Sequence, residues 1–120
     1  MIERLWRIAG WAGVAFTAAV SLGPSAIEGE QHADKVVHLA GYALMMFWWA
    51  QVVVRNRWRL ALAVIVLGAV IELLQGLTPA RQPDLLDVLA NSAGVLLGWL
   101  AARLLPNVPA LFSLLPAGRR

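Results

Sequence analysis

Polar side chains that could transfer protons, bind a cation or hold a phosphate group lie within strongly apolar stretches of this chain. Carboxylates and imidazole bind divalent cations and act as general acids and bases, and arginine binds phosphate through paired hydrogen bonds. Polar groups are costly in a hydrocarbon setting, so their presence there favours a functional role. The candidate binding residues are Asp34, Lys35, His38, Glu72, Gln75, Arg81, Asp84, Asp87 and Asn91.

Subsets of these nine residues are suited to acid–base catalysis, to metal binding or to phosphate binding. His38, Glu72 and Asp87 are the candidates for acid–base catalysis. A divalent cation is a candidate cofactor, and Asp84 joins those three residues as a candidate metal ligand. Arg81 is suited to holding a phosphate or pyrophosphate group.

Each of these residues also has a structural interpretation that the sequence leaves open. Asp84 suits the N-cap position of a helix, and Asp34 suits the same role in another helix. Glu72 could be held by a neighbouring polar group such as Arg81 without binding anything else. A stripe of small residues at a spacing of four is interpreted as a helix-packing surface, and it consists of Ala90, Gly94, Gly98 and Ala102.

Three predicted helices would bring the polar residues to one place. Within each helix the polar residues are three or four positions apart, which puts them near one helix face. At about 1.5 Å of rise per residue, His38, Glu72 and Asp87 lie at similar depths below the same membrane surface. The sequence therefore predicts one polar site that three helices share.

The composition predicts that a lipid bilayer surrounds these helices. The chain has 120 residues, of which 60% are hydrophobic and 14% charged, and its mean hydropathy is +0.69. Soluble domains are typically about 45–50% apolar and about 25% charged. A soluble domain of this size could not bury so many apolar side chains.

Four apolar segments have the length of membrane-spanning helices, at residues 5–22, 36–54, 60–77 and 85–105. About 20 helical residues cross the hydrocarbon core, and no alternating strand pattern competes with this interpretation. The sequence therefore predicts an all-α polytopic membrane protein with a four-transmembrane-helix bundle. The bundle forms one domain over residues 1–105, and a Pro-rich cytoplasmic tail follows at 106–120.

The arginines predict the orientation of this bundle. They cluster at the start of the first segment, between the second and third segments, and at and after the end of the fourth. An even number of spans puts all three clusters on one side, and the positive-inside rule makes that side cytoplasmic. We therefore expect both termini inside and the polar site at the extracytoplasmic leaflet.

Composition also excludes several classes of function. The chain has no cysteine, which excludes disulfides, thiolate metal sites and cysteine nucleophiles. The arginines form no continuous basic face, so nucleic acid is not an expected partner. The basic start followed by an apolar run is also typical of a signal peptide, and this alternative stays open.

Three stretches carry a resemblance to a known family. They are D-K-V-V-H-L-A-G-Y at 34–42, E-L-L-Q-G at 72–76 and R-Q-P-D-L-L-D-V-L-A-N-S-A-G at 81–94. Together they resemble the VanZ-like family, which is named for a membrane protein linked to low-level teicoplanin resistance. The resemblance implies a multi-pass protein of the bacterial cytoplasmic membrane, and its polar positions fall on the nine candidate binding residues.

Three classes of function remain open. The first is a protein that binds an anionic cell-envelope lipid or a lipid-linked wall precursor at the outer leaflet, with a link to glycopeptide resistance. The second is a metal-dependent lipid-phosphate hydrolase or transferase. The third is a structural polar core, or a path for ions or protons.

Overall fold

The computed structural model describes residues 1–22, 31–77 and 85–116, and for residues 31–34 it describes the helix but not the side chains. The regular structure in these ranges is entirely helical. The prediction of an all-α chain is therefore confirmed for the described residues. The helices are α1 (Ile2–Leu22), α2 (Gln31–Ala50), α3 (Arg57–Gln75), α4 (Leu85–Leu104) and α5 (Val108–Leu114).

Helix α2 ends earlier than the apolar pattern predicts. The predicted segment extends to residue 54, whereas the helix ends at Ala50. The Arg57 side chain donates hydrogen bonds to the backbone oxygens of Ala50 and Val53, at 2.7 and 3.2 Å. The bond to Ala50 satisfies a carbonyl group that helix termination leaves without a partner, and the bond to Val53 holds the loop that follows. The predicted extension to residue 54 is therefore wrong, because a side chain from the next helix replaces the helical bonds.

Helices α1 and α3 begin three residues before their predicted apolar segments, because charged residues form part of their first turns. In α1, Arg7 pairs with Glu3 at 3.0 Å, one helical turn away. In front of α3, Asn56 adopts a left-handed backbone conformation with a φ of 52°, which asparagine tolerates better than most residues. This residue turns the chain from α2 into α3.

Helices α2 and α4 form the most extensive contact among the described helices, and two glycines of α4 make it close. A Cβ atom at Gly94 would overlap the backbone oxygen of Leu39, and one at Gly98 would overlap that of Ala43. Both oxygens belong to α2, so the two backbones touch directly. The interpretation of these glycines as a helix-packing surface is confirmed.

One end of the bundle, which we call the arginine end, contains the start of α1, the loop between α2 and α3, and α5. The Trp6 indole donates to the backbone oxygen of Trp48 at 2.8 Å, and the Trp48 indole donates to that of Trp6 at 2.9 Å. Gln51 accepts hydrogen bonds from Asn107 and from the backbone of Val108. These bonds attach α1 to α2, and the start of α5 to the loop after α2.

The opposite end, which we call the acidic end, contains the end of α1, the start of α2, the end of α3 and the start of α4. Gln75 donates from Nε2 to the backbone oxygen of Ser21, which ties α3 to α1. Lys35 near the start of α2 pairs with Asp87 near the start of α4. The long helices therefore run alternately up and down between the two ends.

Three helical stretches of the described chain are long and apolar enough to cross a membrane. They are Ile2–Leu22, Arg57–Gln75 and Leu85–Leu114, the last of which runs through α4 into α5. Helix α2 contains polar residues in its first turns. Many large apolar side chains point outward from the bundle, as expected where lipid covers the surface. They include Leu5, Trp11, Phe16, Leu62, Val66, Leu96 and Leu100.

Candidate functional site

Three helices bring His38, Glu72 and Asp87 together at the acidic end. His38 lies two turns into α2, Glu72 lies one turn before the end of α3, and Asp87 lies in the first turn of α4. A ring nitrogen of His38, a carboxylate oxygen of Glu72 and a carboxylate oxygen of Asp87 all lie within 4.8 Å of one another. The structure thus places the three acid–base candidates next to one another, while what they bind stays a prediction.

Protein encloses the two carboxylates of this group. Glu72 is 4% exposed and Asp87 is 9% exposed. Lys35 lies one turn before His38 in α2, and its Nζ is 3.4 Å from Asp87 Oδ1. An enclosed charge without a counter-charge costs several kcal/mol, so Lys35 offsets part of the cost of enclosing Asp87.

Asn91 forms the inner boundary of the group, one turn further into α4 than Asp87. A Cβ atom at Gly68, one turn before Glu72, would lie 3.1 Å from Asn91 Nδ2, so α3 and α4 are in contact here. Asn91 is 2% exposed, and its Oδ1 accepts no hydrogen bond from the described residues. A buried acceptor without a hydrogen bond costs about 1–3 kcal/mol of stability. A ligand that contacts this oxygen would remove that cost, so the oxygen is available for binding.

Tyr42 belongs to the same enclosure, and the sequence analysis does not single it out. It is buried, and its ring would lie 3.1 Å from a Cβ atom at Gly68. The spacing of four residues from His38 places Tyr42 on the same helix face, and this is the signal that could have found it.

Gln75 is buried at the acidic end, where its amide joins α3 to the last turn of α1 through Ser21. A hydrogen bond between elements distant in sequence stabilises the bundle, so Gln75 has a structural role in this structure. Its predicted role in ligand binding stays a prediction.

Three predicted site residues have no described side chain. Arg81 and Asp84 lie outside the described residues, and so does the predicted N-cap role of Asp84. Asp34 lies in α2, but its side chain is not among those described. Their proposed contacts with the group around Glu72 therefore stay predictions.

The described group combines an imidazole, two carboxylates, an ammonium group and an amide oxygen within a largely enclosed space. Carboxylates and imidazole are suitable ligands for divalent cations, and they also move protons between a substrate and water. An ammonium group attracts phosphate. The chemistry that this set supports best is therefore the binding of a cation, a phosphate group, or both together.

Comparison with known proteins gives a family for the chain. The model of the VanZ/LLP1 family matches residues 3–106. The matched region includes α2, α3, α4 and every described residue of the site. It also includes all of α1 except Ile2, the helix for which the signal-peptide alternative was open. The comparisons with curated proteins and with solved structures gave no match. Together with its span-capable helices, the match indicates a membrane protein, and the chain belongs to the VanZ/LLP1 family.

Proposed function

We propose that this protein binds the phosphate-bearing headgroup of an anionic cell-envelope lipid or lipid-linked wall precursor in the bacterial cytoplasmic membrane. One observation carries this proposal: an apolar groove between α1 and α2 leads directly to His38. A polar site that continues into a hydrocarbon-binding surface suits a ligand with a polar head and a long apolar chain. Binding a wall precursor would also supply the link to teicoplanin resistance.

The groove consists of two adjoining cavities that share Phe16, Thr17 and Gly41 in their walls. The larger cavity, of about 340 Å³, extends toward Trp49 near the arginine end. The smaller cavity, of about 180 Å³, reaches His38 at the acidic end. The two cavities together follow the helices along most of the depth that a lipid chain would occupy.

The cationic side chain of Lys35, which lies one turn before His38 on α2, suits a phosphate. The Lys35 ammonium group is 3.4 Å from Asp87, and its side chain remains 26% exposed, so it can turn toward a headgroup. Arg81 would add a bidentate donor from the loop after α3. Lys35 and Arg81 would thus hold the phosphate, while Glu72 and Asp87 orient the donors around it.

We place the site at the extracytoplasmic leaflet of a four-span bundle with both termini inside the cell. Helix α2 would be the fourth span, and its contacts with α1, α3 and α4 shield part of its surface from lipid. The arginines at the other end of the bundle support this orientation through the positive-inside rule.

Cysteine labelling tests the orientation. Because the chain has no cysteine of its own, only the introduced cysteine can react. We expect Leu77→Cys, exposed at the acidic end, to react with a membrane-impermeant maleimide in intact cells. We expect Asn56→Cys, exposed at the arginine end, to react only after the membrane is opened. The reverse pattern would place the site in the cytoplasmic leaflet and contradict this part of the proposal.

Lipid binding tests the proposal itself. We expect the purified protein in detergent to bind a polyprenyl phosphate or phosphatidylglycerol more tightly than polyprenol or phosphatidylcholine. Lys35→Gln should weaken binding of the phosphates about tenfold, because a hydrogen bond between charged groups contributes about 1.5 kcal/mol. Gly13→Leu should weaken binding of polyprenyl phosphate and polyprenol alike, because its side chain would enter a space that is open at this glycine. Native mass spectrometry provides the relative affinities.

The control for the groove variant is Ala63→Leu, which adds similar bulk to an exposed position on α3. This position lies outside the walls of both cavities, so we expect parental affinity. Equal binding of polyprenyl phosphate by Gly13→Leu and the parent would remove the groove from the proposal. Equal binding of polyprenyl phosphate and polyprenol by the parent would overturn the proposal as a whole.

A second candidate function is hydrolysis or transfer of a lipid phosphate, which the closeness of His38, Glu72 and Asp87 favours. In this case the imidazole and one carboxylate would move protons during the reaction. Release of phosphate from a polyprenyl diphosphate by the purified protein, lost in His38→Gln, would support the enzyme. Binding without turnover would favour the first candidate.

A further inference from the structure

We propose that His38, Glu72 and Asp87 hold one divalent cation, with the Asn91 side-chain oxygen as a further acceptor for the cation or its bound water. This inference deepens the proposed function, since the cation would bridge the two carboxylates to a lipid phosphate. It also stands without a lipid, because all of its ligands come from the chain itself.

The spacing of the donor atoms fits a shared cation. Ligand atoms lie about 2.0–2.6 Å from zinc, magnesium or calcium ions, so two ligands of one ion are at most about 4–5 Å apart. The donor atoms of His38, Glu72 and Asp87 all lie within 4.8 Å of one another. Only small side-chain movements would bring all three into contact with one ion.

The Asn91 oxygen is a second observation that points independently to a ligand. This oxygen is buried, and Asn91 as a whole is 2% exposed. None of the described residues donates a hydrogen bond to the oxygen. Asn91 lies one turn below Asp87 and packs against Gly68, one turn below Glu72, so it faces the floor of the group. A cation, or a water molecule bound to one, would satisfy this acceptor.

Electrostatics favour the same occupant. Two ionised carboxylates in a poorly solvated space repel each other, and a divalent cation between them replaces that repulsion with attraction. Lys35 already provides one positive charge at Asp87. Since the Lys35 side chain is partly exposed, an incoming cation can displace it toward the phosphate that the cation would bind.

The ligand types indicate a cation that accepts both nitrogen and oxygen, such as Mn²⁺ or Zn²⁺. Mn²⁺ is the better probe because its electron paramagnetic resonance reports binding and also reveals a coordinated nitrogen. We expect chelator-treated protein in detergent to bind one Mn²⁺ ion per chain with a nitrogen coupling. That coupling should disappear in His38→Gln.

Two carboxylate variants and one matched control locate the site. Glu72→Gln and Asp87→Asn keep side-chain size and should each weaken Mn²⁺ binding at least tenfold. Glu3→Gln removes an exposed carboxylate at the arginine end and should bind Mn²⁺ like the parent. Circular dichroism and gel filtration identify which variants are folded. If Glu72→Gln does not fold, the Mn²⁺ affinity of Asp87→Asn alone tests the site. Absence of saturable Mn²⁺ binding by the folded parent, or parental affinity in the folded carboxylate variants, would overturn the cation site.

Lys35→Gln separates this inference from the proposed function. Without the competing ammonium group, Mn²⁺ should bind at least as tightly as in the parent, while polyprenyl phosphate binds more weakly. Mn²⁺ binding by a parent protein that does not distinguish polyprenyl phosphate from polyprenol would support the cation site and overturn the lipid proposal. Discrimination between these lipids without Mn²⁺ binding would support the lipid proposal and overturn the cation site.

Discussion

Adding one methyl group at each of Gly94 and Gly98 is expected to separate α2 from α4 and destroy the native bundle. A Cβ atom at either position would overlap a backbone oxygen of α2, from Leu39 or Ala43. These oxygens are part of a helix backbone and cannot rotate away as a flexible side chain can. Overpacking of this kind costs about 1–3 kcal/mol for each site, and here the two costs fall on one contact.

The matched control is the double variant Gly13→Ala and Gly41→Ala. A Cβ atom at either of these glycines would meet nothing within 4 Å. Alanine also favours helix over glycine by about 1 kcal/mol in water, so the control should be at least as stable as the parent. The measurement is unfolding in detergent, followed by circular dichroism during titration with SDS. Equal stability of the Gly94/Gly98 variant and this control would contradict the close backbone contact.

The same contact determines the geometry of the site. His38 lies on α2 immediately before Leu39, whose oxygen touches Gly94, while Asp87 lies two turns before Gly94 on α4. Separating the two helices would therefore move the imidazole away from the carboxylate. We expect a Gly94→Ala single variant that still folds to bind Mn²⁺ more weakly than the parent, even though no ligand has been replaced.

Much of the fold follows from local sequence patterns. Apolar segments of span length, closed by proline or charge, predict the long helices, and the spacing of Gly94 and Gly98 predicts a close helix contact. The early end of α2 was not predictable in this way, because it depends on Arg57 reaching back to Ala50. Apolar periodicity contains no information about a side chain that replaces a helical hydrogen bond.

The candidate site also combines features that the sequence predicts with features that only the packing of the helices determines. His38, Glu72 and Asp87 could be grouped from the sequence because helical spacing fixes both the face and the depth of a residue. The spacing of Tyr42 from His38 was a further signal of this kind. The unsatisfied oxygen of Asn91 could not be predicted, because it depends on how the helices approach one another. Spacing along one helix does not determine the distance between side chains on different helices.

Replacing His38, Glu72 and Asp87 together with leucine is expected to stabilise the protein in cation-free detergent. Enclosing charged and polar groups requires removing their water, and their mutual attraction often repays only part of that cost. Well-packed apolar residues that replace a buried charged set commonly raise the free energy of unfolding by about 1–4 kcal/mol. The partly exposed Lys35 ammonium group can turn toward water when Asp87 is removed.

A structural polar core predicts the opposite result. If these residues were retained because they hold the helices together, their removal as a set would lower the free energy of unfolding. The single variant Glu72→Leu provides the comparison, because it leaves His38 and Asp87 enclosed without the group that faces them. We expect this single variant to be less stable than both the parent and the triple variant.

Unfolding with a chelator and unfolding with Mn²⁺ together distinguish the two explanations. Mn²⁺ should stabilise the parent by mass action, since an ion that binds only the folded state shifts the equilibrium toward it. It should have no effect on the triple leucine variant, which lacks His38, Glu72 and Asp87. A triple variant less stable than the parent in the presence of chelator would show that the bundle itself requires the polar group. A more stable triple variant that no longer responds to Mn²⁺ would show that this protein retains the three residues for binding, at a cost to the stability of its own fold.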